Sequence, residues 1–382
     1  MTQPGRGEKM AVKSDNSATQ RFFATLDRAK GILIVLIVFA HNTLVTQSWP
    51  DLRGFFYNWH VFAFLLLALV MPFRSDKPGF LTTRFVRYYV PFIIFFTMTW
   101  AAMVVLGGTT AGLLDRFSEW AVAVLIGSAA LLDQASGARL FWFLPALMGL
   151  VLIRWAIDQF HETVRPMMLG LVAIAGFLFA GLIPDAVKQW LPFGIPIALY
   201  AIGPGLVFAY LVTRALRADP GTATFALYAV LSAAVCGLLY AYSVSRGSAL
   251  VLASFDFYDI RSPDLLLAHA GLAMSAAATV VFAAGAMGEA RWLQWLGQAS
   301  LLIYLVHQII FVGLRAVAFQ VDPELEGASR QVAGIATFVA TMALSVAVAW
   351  LIQSREALNQ LVAPRDWADW TRGLDKLLPF RA

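Results

Sequence analysis

The sequence predicts an all-α integral membrane protein with about ten transmembrane helices and both termini cytoplasmic. Three observations predict it. Of the 382 residues, 60% are hydrophobic and only 13% charged, roughly half the charged fraction of an ordinary soluble domain, and mean hydropathy is +0.72. Apolar runs long enough to cross a hydrocarbon core of about 30 Å recur along nearly the whole chain. With the N-terminus placed inside, about 20 of the 28 Lys and Arg residues fall in inner segments and 8 in outer ones, the asymmetry that orients membrane helices. Helices suit this pattern better than barrel strands, because alternating short strands are absent and every backbone polar group in lipid must be paired internally.

Residues 1–20 are polar and mixed in charge, and no short apolar core with a small-residue cleavage site follows. They read as a cytoplasmic N-terminal segment rather than a removable signal. A membrane domain then spans 21–353. Its first helix, about 31–48, follows "LDRAK" and contains His41. Lys30 and His41 are eleven residues apart, about 20° from three full helical turns, so they share a face about 16 Å apart along the axis. Asp27 lies close to that line. An imidazole inside an apolar run is costly unless it meets a cavity or partner. Asn42 is either simple hydrogen-bond company for His41 or a functional neighbour.

The second helix, about 55–73, brings His60 in "FFYNWHVFAF" to the depth of His41 if the pair is antiparallel. Two imidazoles without an evident third ligand suit a general base with a supporting histidine better than a metal site, and no metal is expected. The connection "RSDKPGFLTTRFVRYYVPF" carries Arg74, Lys77, Arg84 and Arg87. Arg84 and Arg87 neighbour each other on a helix face. They serve topology, and they also suit a phosphate-bearing ligand approached from the cytoplasm.

The third helix, about 88–106, leads to a long outer segment, 107–138, whose "FSEWAVAVLIGSAALL" either lies in the interface or dips back into the protein. The fourth, about 139–157, opens with Arg139 and Trp142, the latter an interfacial anchor or a substrate contact. Helices follow at about 167–184, 193–213, 223–243 and 264–285. The ninth, about 298–318, carries Tyr304 and His307 one turn apart, either packed with satisfied hydrogen bonds or lining a pore. The tenth is about 331–352. The tail 354–382 mixes Trp367, Trp370 and leucines with bases, as an amphipathic segment on the inner membrane face does. The single cysteine, Cys236, excludes an internal disulfide. Bases confined to short loops argue against nucleic acid, and no Walker loop or dinucleotide fingerprint occurs.

These pieces together resemble the acyltransferase type 3 family of membrane O-acyltransferases, especially its fucose 4-O-acetylase-like branch. "LDRAKGILIVLIVFAH" carries a basic-x10-His pattern as Lys30 and His41; "YNWHVFAFLLLALVMPF" places His60, and "TTRFVRYYVP" places Arg84 and Arg87 before a proline. "RLFWFLPALMGL" and "ASLLIYLVHQIIF" supply Trp142, Tyr304 and His307. Phe62 stands where the family segment usually has Pro, and Ala68-Leu69 replace its usual Ser-Gly. The resemblance implies acetyl-coenzyme A, or another short acyl-CoA, as donor, and a hydroxyl of a cell-surface or lipid-linked glycan as acceptor. The implied setting is the bacterial inner membrane. It implies phosphate binding at Lys30, Arg84, Arg87 and Arg74, with His41 as general base. Asp27 orients Lys30 or Arg28, or serves the helix start; His60 and Asn42 orient His41 or stabilise the oxyanion. The glycan would meet Trp142, Arg139, Tyr304 and His307. The rival classes are a transporter or flippase, for which inverted repeats and broken helices are not evident, and a structural partner of an export complex. Oligomeric state is left open.

Overall fold

A computed structural model describes residues 6–71, 73, 75, 77–106, 113–137, 139–247, 262–322 and 324–377. Among them the secondary structure is helical, without strands. In chain order the helices are α1 (Arg6–His41), α2 (Thr43–Ser48), α3 (Pro50–Tyr57), α4 (His60–Val70), α5 (Phe80–Leu106), α6 (Leu113–Ile126) and α7 (Ala129–Ser136). A 3-10 turn (Arg139–Trp142) leads into α8 (Phe143–Asp158), then α9 (Arg165–Leu182), α10 (Asp185–Lys188), α11 (Ile195–Ala218) and α12 (Thr222–Ser245). The remainder are α13 (Pro263–Ala286), α14 (Arg291–Gln298), α15 (Ser300–Val321), α16 (Gly327–Ser354), α17 (Glu356–Val362) and α18 (Trp367–Leu377).

Nine stretches among the described residues are long and apolar enough to cross a membrane. They coincide with nine of the ten expected runs. The exception is 31–48, which is broken: α1 stops at His41 and α2 starts at Thr43. Asn42 causes the break. Its backbone is extended, and its Oδ1 accepts from the amides of Leu44 and Val45, capping α2 as a good N-cap residue does. A second break falls inside the second run, between α3 and α4. Asn58 and Trp59 leave the helix there, so His60 opens α4.

The core lies where α1, α4, α8, α11, α13 and α15 meet. Leu33, Ile34, Ile37, Phe92, Phe141, Tyr200 and Phe208 are among its fully buried side chains. The rim is different. Little of α9 or α12 is buried inside the protein, and Ile174, Leu182, Leu231 and Leu238 stand exposed. Apolar side chains facing outward are what lipid contact requires. The missing glycine at Ala68-Leu69 is offset from the other side: a Cβ on Gly205 of α11 would lie 2.2 Å from Leu69 Cδ1, so the partner helix supplies the space.

The segment 113–137 folds against the bundle as α6 and α7, with Tyr89 Oη donating to the Val124 carbonyl at 3.2 Å. The tail folds as α17 packed on α18, both reaching α5.

Candidate functional site

α1 runs unbroken through Asp27 and Lys30 to its last residue, His41, so the common face expected from spacing exists. Lys30 Nζ donates to Asp27 Oδ1 at 2.8 Å, and Gln298 Nε2 donates to Asp27 Oδ2 at 3.2 Å. Asp27 therefore orients Lys30. It does not orient Arg28, which is buried and bonds instead to the Ala284 carbonyl and to Thr25. The approach of α14 that brings Gln298 to Asp27 depends on Gly297, because a Cβ there would lie 1.7 Å from the Asp27 carbonyl oxygen.

Asp27, Lys30 and Gln298 line one cavity of about 620 Å³ together with Arg84 and Arg87 of α5. Among the described residues neither arginine has an acidic partner; Arg84 lies over the Phe80 ring at 5.3 Å. The mouth thus holds three cations against one carboxylate. Beyond it the walls turn apolar, with Ile34, Ile37, Leu67, Leu147 and Leu150, and the cavity reaches Phe143 and Tyr304. Charge at one end and an apolar channel behind it suit an anionic head with a long, weakly polar arm. Arg74 lies outside the described residues, as does the side chain of Arg139.

His41 is not among the residues lining this cavity; Tyr304 connects them. Tyr304 lines the cavity, its hydroxyl donates to the Leu140 carbonyl, and its own carbonyl lies 2.6 Å from His307 Nδ1. His307 Nε2 is in turn 3.0 Å from His41 Nδ1. On the other edge, His41 Nε2 is 3.4 Å from His60 Nε2, and His60 Nδ1 is 2.6 Å from the Phe56 carbonyl. The three imidazoles form a chain with His41 at its centre. His60 and His307 are buried at 2% and 1% exposure, whereas His41 is partly exposed. Tyr57 packs edge-on against both His41 and His60, with the Arg53 guanidinium 5.4 Å from its ring centroid.

The expected residues divide. Asp27, Lys30, Arg84, Arg87 and Tyr304 share the cavity, and His41, His60 and His307 share the chain beside it. His307, expected as a substrate contact, bonds directly to His41. Trp142 is buried at 7% exposure and packs edge-to-face on Phe143; its neighbour Phe143, not Trp142, lines the cavity. Asn42 is committed elsewhere: besides capping α2, its Nδ2 donates to the Gly334 carbonyl and to Thr337 Oγ1. With acceptor and donors so engaged, Asn42 has no free hydrogen for an oxyanion in this arrangement, and of the two roles expected for it the one left is orienting the adjacent His41.

Sequence reasoning missed Gln298 and a second network. His269 Nε2 is 2.6 Å from the Asn58 carbonyl, and its Nδ1 is 2.9 Å from Tyr200 Oη. This pins the α3–α4 break that places His60. No local signal marks it, since the partners lie 211 and 69 residues away in sequence. Among the described residues no group of three His, Cys, Asp or Glu side chains is placed to hold a metal ion.

A family model described as an acyltransferase domain matches residues 23–353. No curated protein and no solved structure matches the chain.

Proposed function

We infer what the protein does from one premise: the chain belongs to the acyltransferase 3 family of membrane acyltransferases. The donor is acyl-CoA, acetyl first among the short acyl groups and succinyl second. The acceptor is a hydroxyl of a cell-surface or lipid-linked glycan, a class that follows from the likeness to the fucose 4-O-acetylase-like branch. The setting is the bacterial inner membrane, with the basic mouth of the cavity on the cytoplasmic side.

The observation that carries the reading is the cavity that links the Lys30, Arg84 and Arg87 cations to Tyr304. Phosphates of coenzyme A bind at the cations, where guanidinium and ammonium groups are effective partners. The pantetheine arm follows the apolar channel, and the rise of α1 from Lys30 to His41, about 16 Å, is the reach required of it. His41 accepts the hydroxyl proton as the oxygen attacks the thioester carbonyl; the C–O bond forms, the C–S bond breaks, and the sulfur leaves as the thiol. Uncharged channel walls keep water from competing as acceptor.

Purified protein with acetyl-CoA and a lipid-linked glycan should transfer acetyl. His41→Ala should abolish transfer while retaining the wild-type thermal transition. Undiminished transfer by that variant sinks the mechanism, and unchanged acetyl content of surface glycans in cells lacking the protein sinks the acceptor class.

A further inference from the structure

We propose that His307 and His60 are paired hydrogen-bond acceptors for His41, and that the acceptor hydroxyl seats against the Nε2 atoms of His41 and His60. The proposal rests on the reading of His41 as the base and assigns what surrounds it. It begins from two backbone carbonyls. The Phe56 oxygen lies 2.6 Å from His60 Nδ1, and the Tyr304 oxygen lies 2.6 Å from His307 Nδ1. A carbonyl oxygen only accepts, so both of these ring nitrogens carry a hydrogen; the network assigns the tautomers. A neutral imidazole has one N–H. Both outer rings therefore present a bare Nε2 to His41.

His41 lies between them. Its Nδ1 is 3.0 Å from His307 Nε2, whose lone pair is free to accept, so Nδ1 donates. What remains is His41 Nε2, bare, 3.4 Å from the bare Nε2 of His60. Two lone pairs facing each other at that distance lack a hydrogen between them, and a buried acceptor without a donor is unfavourable. A hydroxyl supplies one. The substrate reaches this point at His41, because His41 is partly exposed and its two neighbours are buried.

The arrangement becomes complete during reaction. As the substrate oxygen bonds to the acyl carbon, its O–H bond breaks and the proton moves to His41 Nε2. The His41 cation then has an N–H on each edge, and each edge faces a bare nitrogen: Nδ1 faces His307 Nε2, and Nε2 faces His60 Nε2. A charge formed inside an apolar bundle is costly unless hydrogen-bonded on every donor, and these two acceptors meet that need without any other group moving. When the C–S bond breaks, the departing sulfur takes the electron pair and then the proton, and His41 returns to its neutral form. A metal centre is a different geometry: His41 meets its partners from opposite edges, so the rings make a chain and not a tripod around one point.

His307 and His60 are thus positioning residues whose acceptor nitrogens matter, and their tautomers are directly observable. In the full-length protein with 15N-labelled histidine, nitrogen NMR should show Nδ1–H and a bare Nε2 at His60 and His307, the signals assigned with H60Q and H307Q. An Nε2–H tautomer at either residue overturns the proposal, whatever the substrate. Kinetics give the second readout. His307→Phe keeps a ring and removes the acceptor, and should lower kcat by roughly a hundredfold with KM for acetyl-CoA unchanged. His307→Gln keeps an amide oxygen as acceptor and should recover most of that loss. Equal kcat in both variants, or a loss confined to KM, overturns the proposal. Wild-type protein that fails to bind acetyl-CoA would sink the donor reading instead, and the tautomers would still decide this one.

Discussion

Arg84 and Arg87 illustrate how one residue type serves two ends. Near a helix start at the membrane surface, each base helps orient the chain; in the cavity, the same two guanidinium groups lack an acidic partner among the described residues and remain available to phosphate. Lys30 differs, because Asp27 holds it at 2.8 Å. That pair is partly solvated, and pairs of this kind contribute little to stability. Its value is directional: the ammonium is held in the cavity wall. A charge-assisted hydrogen bond contributes about 1.5–3 kcal/mol, so Arg84→Ala and Arg87→Ala should each raise KM for acyl-CoA by roughly ten- to hundredfold with little change in kcat, read from steady-state transfer. Asp27→Asn should raise KM less, because Lys30 stays charged and loses only its guide.

At the scale of elements, two breaks and one close contact position the candidate site. Asn42 ends α1 at His41, and its four hydrogen bonds tie the junction to α2 and α16. Removing such a cap costs about 0.5–2 kcal/mol, and the lost bonds to Gly334 and Thr337 add to it. Asn42→Ala should lower the thermal transition measurably in detergent. A selective fall in kcat with unchanged stability would return Asn42 to the chemistry. Gly297 sets the distance between α14 and α1. Gly297→Ala forces a Cβ into the Asp27 carbonyl, and overpacking of this kind costs about 1–3 kcal/mol or more. The variant should unfold earlier and bind acyl-CoA more weakly, because α14 carries Gln298 to Asp27. Gly313→Ala is the control: a Cβ there meets nothing within 4 Å, Ala is the better helix former, and stability should not fall.

The whole molecule separates a lipid-facing rim from a packed centre that holds the site. α9 and α12 are almost wholly apolar and little buried, so they contribute surface for lipid, while the centre supplies the cavity. The basic mouth faces the cytoplasm if the charge asymmetry orients the chain. Gln298 is exposed at that mouth, and the native Cys236 is buried. In a Cys236→Ser background, Gln298→Cys should react with an impermeant maleimide from the cytoplasmic side only, and acetyl-CoA should slow the reaction. Labelling from the outer side would reverse the orientation. Acyl-CoA affinity should also fall with ionic strength, since salt screens exposed charge over a Debye length of about 8–10 Å.

Local periodicity and composition determined much of this protein. The apolar runs, the shared face of Lys30 and His41, the Arg84–Arg87 pair and the family motifs are properties of short stretches, and helical phase follows from 3.6 residues per turn wherever a helix persists. Where the helix does not persist, phase says nothing; the break at Asn42 is held by its own cap and by α16, and that at Asn58 by His269 of α13. The tertiary structure alone decided that His307 meets His41 across 266 residues of chain, that Asn42 belongs to the packing of α16, and that Phe143 rather than Trp142 lines the cavity. Each of these depends on which helix faces which, and that is set by how side chains interlock across the bundle, where a sequence carries no repeat to count.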